Sequence, residues 1–323
     1  MSARVRAVIV GFGCGPHLVR CLDAWEAARA AADVEAETVV VLAAGAVTEG
    51  VSARARVIAV PAQEVSTPGA NRNRGAAGAA AELLLFLDGD VELDSGFVAR
   101  GLRRLADAPR VAGVGGRLDE RHWRDGAIVG KAEDLYRVGK GGEVPYLAQA
   151  WLCRRAAFEQ VGGFDARLPA EEDFELGARL RQAGWTLVAE PELAGVHHCP
   201  PRPSLAELGR RWRNGMFAGP GLALRLARGG STFPELWARQ RLYLAALAYV
   251  ALGFITSWIA LAGYPASFCL WASGAALAWA ALTLRKGSPR LATLSLLTWA
   301  IQGIALARVW LFGPWGTMER GRR

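Results

Sequence analysis

The chain has 323 residues, 52% of them hydrophobic and 9% aromatic, and a formal net charge of +8. That length holds one large α/β domain and a further segment. The positive charge comes without an aromatic-interleaved nucleic-acid motif, and the five cysteines are odd in number with no C-x-x-C pair, so neither nucleic-acid binding, a zinc ribbon nor a disulfide framework is indicated.

The N-terminus, Met1 to Val10, leads directly into an apolar strand and lacks the apolar core and small-residue cleavage site of a signal peptide. The domain it opens is expected to remain in the cytosol. Val5–Val10 reads as a buried strand, followed by the glycine cluster Gly11, Gly13 and Gly15 and by a helix over about 17–31. The cluster is not a dinucleotide fingerprint, because Pro16 stands where the third glycine belongs. Glu35 and Glu37 lie where a ribose-binding acid would fall, so a nicotinamide oxidoreductase stays as an alternative. Thr38–Leu42 and Val57–Val60 read as strands, Pro68 to Ala81 as a helix rich in Ala and Gly, and Leu83–Leu87 as a buried strand. Ser95 reads as the N-cap of a helix reaching about Ala106, and Val111–Val114 as another short strand. The segment from about Arg117 to Val144 is polar and Gly-rich and reads as a loop or lid. Glu171 to Gly184 forms an acidic-headed helix with a glycine stop, and Trp185–Ala189 and Leu193–His197 read as two short strands. This alternation predicts a mostly parallel, doubly wound sheet.

From Leu242 to Phe312 the composition changes to Ala, Leu, Ile, Trp and Gly. Three stretches there, roughly 242–263, 266–284 and 291–312, each reach the length needed to span a bilayer. Trp258, Trp271, Trp299, Trp310 and Trp315 are scattered along this tail. Many arginines lie just before it: Arg202, Arg210, Arg211, Arg213, Arg225, Arg228, Arg239 and Arg241. An anionic cytoplasmic leaflet and the positive-inside rule account for them. The expected organisation is a catalytic domain over 1–200, a basic interfacial segment over 201–241 and a transmembrane region of about three spans over 242–323.

Four groups of residues carry possible chemistry. Leu85-Phe86-Leu87 ends in Asp88-Gly89-Asp90, a buried strand that delivers two carboxylates at its carboxyl end, where open α/β sheets bind ligands. Two hard oxygen donors suit Mg²⁺ or Mn²⁺ held jointly with a diphosphate, although Asp-Gly by itself is also a common turn dipeptide. Asn71, Arg72, Asn73 and Arg74 precede that strand and offer cationic and amide groups to phosphate. Glu171-Glu172-Asp173 heads a helix, where acids complement the dipole and one can also serve as a general base. His197 and His198 are adjacent on a strand, so their side chains point to opposite faces and at most one belongs to this site.

Together these segments, over about residues 4–215, resemble the family 2 glycosyltransferases of the GT-A nucleotide-diphospho-sugar transferase fold. The resemblance rests on the opening strand, Ala70–Gly75, Phe86–Asp90, Val161-Gly162-Gly163-Phe164-Asp165, and Glu172-Asp173 leading to Arg179–Trp185. It implies that Asp88 and Asp90 form a D-x-D metal site for Mn²⁺ or Mg²⁺, with Asp90 the closer ligand, and that His197 or His198 stands near the metal. It implies that Asp173, with Glu172 beside it, is the base of an inverting transfer, and that Gly11, Arg72, Asn73 and Asp88 lie on the donor.

Two departures stand out. The family's second strand usually ends in acids, where this chain has Val41-Leu42-Ala43-Ala44, and Leu208 replaces the glutamine of the Q-x-x-R-W found in processive synthases. The second points to a single addition. With its hydrophobic tail, the chain is similar to bacterial membrane-bound enzymes of the succinoglycan-type glucosyltransferase kind. That likeness implies an inner-membrane, multi-pass protein with a cytoplasmic catalytic domain, a nucleotide-sugar donor and a polyprenyl-linked glycan acceptor. The alternatives are a polyprenyl-phosphate sugar synthase and a non-enzymatic nucleotide-sugar-binding scaffold.

Overall fold

The computed structural model describes residues 4–11, 15–43, 45–46, 50–201 and 204–314. Gly13, Ala44, Arg202 and Trp315, on which some of the expectations above bear, lie outside the described residues. The chain divides into two units, Met1–Pro201 and Arg202–Glu319.

In the first unit the order is β1 (Arg4–Gly11), α1 (Gly15–Ala31), β2 (Glu35–Ala43), β3 (Arg56–Val60), α2 (Pro68–Ala76), β4 (Leu83–Asp88), β5 (Val91–Leu93) and α3 (Phe97–Asp107). There follow β6 (Val111–Arg124), β7 (Ala127–Ala132), β8 (Gly142–Glu143), β9 (Ala150–Arg154), α4 (Arg155–Gln160), α5 (Glu172–Gln182) and β10 (Thr186–Cys199). Among the described residues ten strands form one sheet in the order β3-β2-β1-β4-β9-β6-β10-β5, with β7 on β6 and β8 on β10. The half from β3 to β4 is parallel, as the βαβ alternation predicts. The other half is mixed: β9 runs antiparallel to both β4 and β6, while β6 and β10 are parallel. The carboxyl end of β4 meets that of β1, since Val10 pairs with Asp88 and the Gly89 N–H donates to the Val10 carbonyl at 2.8 Å.

Both faces of the sheet are buried. One face packs Leu18, Leu22 and Trp25 of α1 and Phe97 and Val98 of α3 against Ile9, Leu85 and Leu87. The other holds Phe86, Trp151, Phe158 and Phe164, with Phe86 centred 5.1–5.3 Å from the other three rings. Helix α2 lies close on β1 because of Gly75, where a Cβ would collide with Val8 Cγ1.

Five local expectations are corrected. The stretch from Arg117 to Val144 is not a loop throughout: β6 continues into it as far as Arg124 and turns back as β7. Arg124 pairs with Ala127, and the two residues between them, Asp125 and Gly126, have φ of 50° and 78°, as a two-residue type I′ hairpin requires. The short strand at Val111–Val114 is the start of this β6. Trp185–Ala189 and Leu193–His197 belong to one strand, β10, whose register with β6 shifts on either side of Leu193. Ser95 does not cap α3: Gly96 is its N-cap residue, and Asp94 Oδ1 accepts from the Gly96 N–H and from Arg100. Helix α2 stops at Ala76, short of Ala81, because the buried Arg6 guanidinium donates to the Ala77 and Gly78 carbonyls at 2.7 and 3.2 Å and Gly78 takes a left-handed φ of 66°.

The second unit contains α6 (Leu205–Arg213), a 3₁₀ turn at Met216–Ala218, α7 (Gly219–Leu226), α8 (Phe233–Arg239), α9 (Arg241–Leu261), α10 (Pro265–Lys286) and α11 (Pro289–Phe312). Ser204 caps α6 by accepting from the Glu207 N–H at 3.1 Å. Helices α9, α10 and α11 are each long and apolar enough to cross a membrane. They pack on one another. Trp271 Nε1 donates to the Tyr249 carbonyl at 3.0 Å, and Trp279 Nε1 donates to Thr293 Oγ1 at 2.9 Å. Their outer surfaces stay open, with Leu261, Leu270, Leu284 and Phe312 all more than three-quarters exposed. An apolar surface of that extent is foreign to a water-soluble monomer.

Candidate active site

The site forms where β1 and β4 end and α2 and α5 converge. Asp88 is the last residue of β4, held there by its N–H donating to the Gln149 carbonyl at 2.7 Å. Asp90 follows one residue beyond Gly89 and begins the turn into β5, where its carbonyl accepts from the His198 N–H at 2.8 Å. The two carboxylates are thus fixed by their own backbone, one by Gln149 just before β9 and one by β10. Gly11 ends β1 beside them, one residue past the Val10–Asp88 pair.

Arg72 stands at the centre. Helix α2 starts at Thr67, whose hydroxyl accepts from the Ala70 N–H at 3.1 Å, with Pro68 at the first turn. That start turns Arg72 inward, 3% exposed, with its Cζ 5.3 Å from the Phe164 ring centre. Arg72 Nη2 lies 2.8 Å from Asp88 Oδ1, and Nη1 lies 2.8 Å from Glu172 Oε1 and 3.3 Å from Asp173 Oδ1. Burial works against the charged guanidinium, but three carboxylates around it hold it well above its usual pKa. Asn73 serves differently: its amide donates to the Phe164 carbonyl at 2.8 Å and accepts from the Phe164 N–H at 3.0 Å. This clasp fixes the Gly162-Gly163-Phe164 turn that delivers α5, with φ of 78° and 71° at the two glycines.

Helix α5 begins at Glu172, preceded by Glu171 in a left-handed conformation at φ 70°. Glu172 is buried and Asp173 is more open, at 17% side-chain exposure. Burial raises the Asp173 carboxyl well above the ordinary range, and the charges of Glu172, Asp88 and Glu171 add to that against the pull of Arg72. Asp88 is also raised, by burial and by Asp90 against Arg72.

The two histidines separate as strand alternation requires. His197 Nε2 points to Asp90 Oδ2 at 3.4 Å, while its Nδ1 lies 3.1 Å from Glu120 Oε1 on β6. Burial lowers its pKa, but hydrogen bonds to Asp90, Cys199 and Glu120 prevail and raise it to about 11. His198 faces the other way: it accepts from Trp123 Nε1 at 2.9 Å, reaches Glu92 at 3.0 Å and stacks on His17. The structure therefore brings Asp88, Asp90, His197, Arg72, Glu172 and Asp173 together and turns His198 away. Asp88 and Asp90 offer hard carboxylate oxygens, and His197 offers an imidazole once a cation displaces the proton on Nε2; these donor types suit Mn²⁺ or Mg²⁺. A second group of donor atoms, from buried Glu120, His197 and Cys199, lies within 4.8 Å. Glu120 escaped the sequence reading because it sits in the stretch taken for a loop, and Asp125-Gly126 is the signal that marks that stretch as a hairpin.

A sequence model of glycosyl transferase family group 2 matches residues 83–284. The chain belongs to that family. The family 2 chain is 27% identical over 245 residues to the N-acetylglucosaminyl-diphospho-decaprenol L-rhamnosyltransferase of Mycobacterium tuberculosis, covering 61% of this chain and 77% of that one. It is 33% identical over 142 residues to the pre-mycofactocin glycosyltransferase of the same organism, covering 41% of this chain and 30% of that one. In structure it is similar to the mannosyltransferase PcManGT from Pyrobaculum calidifontis in complex with GDP-Man and Mn²⁺. The TM-score is 0.62 at 23% identity, covering 97% of this chain and 88% of the other. That likeness bears on the fold, which is of the GT-A type, and the chain is a glycosyltransferase.

Proposed function

We propose that this glycosyltransferase is a membrane-anchored, metal-dependent, inverting enzyme that adds a single sugar from a nucleotide-diphospho-sugar to a hydroxyl of a polyprenyl-linked glycan. The observation that carries the reading is the convergence on Arg72 of the Asp88-Gly89-Asp90 strand end and the Glu172-Asp173 helix start. It joins hard oxygen donors for a cation–diphosphate to a carboxylate that burial makes a stronger proton acceptor. In this reading Asp173 takes the proton of the acceptor hydroxyl as its oxygen bonds to the anomeric carbon. The bond from that carbon to the diphosphate breaks, and the nucleoside diphosphate leaves from the opposite face. Asp88, Asp90 and His197 would hold Mn²⁺ or Mg²⁺, which supplies charge neutralisation to the departing diphosphate. Gly11, at the end of β1, lies on the donor side. Arg72 and Asn73 act on the donor indirectly, Arg72 by fixing the acids and Asn73 by fixing the turn before α5.

A lipid-linked acceptor is supported by the decaprenol-linked substrate in the name of the mycobacterial relative and by the three long apolar helices. Residues 1–200 form the catalytic domain on the cytoplasmic side of the inner membrane in this reading. Residues 201–241 lie along the lipid surface, where Arg210, Arg211 and Arg213 end the amphipathic α6. The test is to offer the detergent-solubilised full-length protein a panel of nucleotide sugars with either a polyprenyl-diphosphate-linked sugar or polyprenyl phosphate. One nucleotide sugar should be consumed with the former acceptor, giving a product of inverted anomeric configuration. Transfer only to polyprenyl phosphate would make the protein a lipid-phosphate sugar synthase, and no transfer to either would contradict the reading.

A further inference from the structure

The buried carboxylate of Glu120 has no place in the chemistry described above, yet it engages His197, Cys199 and His122 behind the site. It sits on β6 at 5% exposure, across from His197, with which it is in register on β10. Its Oε1 is 3.1 Å from His197 Nδ1 and 3.6 Å from Cys199 Sγ, and its Oε2 is 3.1 Å from His122 Nε2. An ionised carboxylate only accepts, so His197 Nδ1 and the Cys199 thiol donate. That fixes the His197 ring by its far nitrogen and leaves Nε2 directed at Asp90, 3.4 Å away. His197 is itself 3% exposed, so a ring flip would bury both nitrogens against the wrong partners.

We propose that Glu120 is a positioning residue that aims His197 Nε2 at the Asp90 end of the cation–diphosphate site. Cys199 and His122 hold the carboxylate in turn. The inference rests on the metal-dependent reading above and adds to it a residue two layers behind the diphosphate. The Glu120, His197 and Cys199 donor atoms that come within 4.8 Å of one another act in this arrangement on each other, as an orienting relay. Carboxylates behind metal-facing histidines fix both ring orientation and tautomer, and losing one typically weakens metal binding by about 10–100-fold.

The test is a double-mutant cycle on full-length protein in detergent, with Glu120→Ala, His197→Ala and the double variant. The readout is Mn²⁺-dependent binding of a nucleoside diphosphate, the tightest of UDP, GDP and dTDP, by titration calorimetry. Glu120→Ala should weaken binding by about tenfold or more, and the double variant should match His197→Ala alone. Glu120→Gln, which keeps an oxygen for Nδ1 and serves if the Ala variant does not fold, should give a smaller loss that also vanishes when His197 is absent. Wild-type affinity in the Glu120 variants, or a loss that persists undiminished without His197, would overturn the inference. If those variants bind normally while Asp90→Asn abolishes the Mn²⁺ effect, the inference falls and the metal reading stands. If the wild-type protein shows no Mn²⁺ effect, both fall.

Discussion

Arg72 Nη1 lies 2.8 Å from Glu172 Oε1, one hundred residues along the chain, and both side chains are buried. This ion pair ties α2 to α5 and, through Arg72 Nη2 and Asp88, ties both helices to the carboxyl end of β4. Three acids of the site, Asp88, Glu172 and Asp173, are therefore assembled around one cation.

Removing that cation should cost stability as well as activity. Arg72→Met leaves Asp88, Glu172 and Asp173 without their shared partner, and breaking a buried pair from one side costs about 3–5 kcal/mol. The full-length protein should unfold at a clearly lower temperature, with Arg72→Lys, which keeps the charge but loses the fork, falling between. An unchanged melting temperature in Arg72→Met would show that the cluster does not hold these elements together.

Asp173 and Glu172 differ in surroundings, and the difference assigns the base. Glu172 is taken up by Arg72 at 2.8 Å, whereas Asp173 is more open and its contact to Arg72 is longer, at 3.3 Å. Asp173→Asn should lower kcat on the order of 10²–10⁴-fold while leaving nucleotide affinity near wild type. Glu172→Gln should act mainly on stability. A larger kcat loss in Glu172→Gln than in Asp173→Asn would reverse the two roles.

The pH profile carries a sign. Burial raises the Asp173 carboxyl above the ordinary range, helped by Glu172, Asp88 and Glu171. A base works only when ionised, so kcat/KM should climb with pH through that raised value and be lost below it. The acid limb should lie above about 4, the value of an unperturbed aspartate. A limb at or below that value in the wild-type enzyme would exclude Asp173 as the titrating base.

Much of this was legible in the sequence. The alternation of strands and helices through β4 fixed the parallel half of the sheet, and the abrupt end of Leu85-Phe86-Leu87 in Asp88-Gly89-Asp90 marked the site. The antiparallel half was harder to read. Leu118 to Arg124 is a stretch of mostly polar residues, and two of them, Asp119 and Glu120, are buried. Polarity there records a hydrogen-bonded interior and not a loop. Arg72 was legible as a phosphate-type side chain, but its three acids lie 16 to 101 residues away, and no local pattern encodes that meeting.

The apolar helices give a topological prediction. Three full spans, with the basic segment before α9 and the pair Arg285-Lys286 on the cytoplasmic side, carry the C-terminus across to the outer side. A reporter fused there that is active only in the cytoplasm should remain silent. A cytoplasmic signal would mean that α11 does not cross.

In the proposed function, glycosyl transfer depends on a cation held at the end of β4. The most direct measurement is turnover of the donor nucleotide sugar by wild-type and Asp90→Asn protein, with Mn²⁺ and with EDTA. Activity is expected with Mn²⁺, none in EDTA, and a loss on the order of a thousandfold in Asp90→Asn at unchanged melting temperature. Full turnover in EDTA, or an Asp90→Asn enzyme as active as wild type, would contradict it.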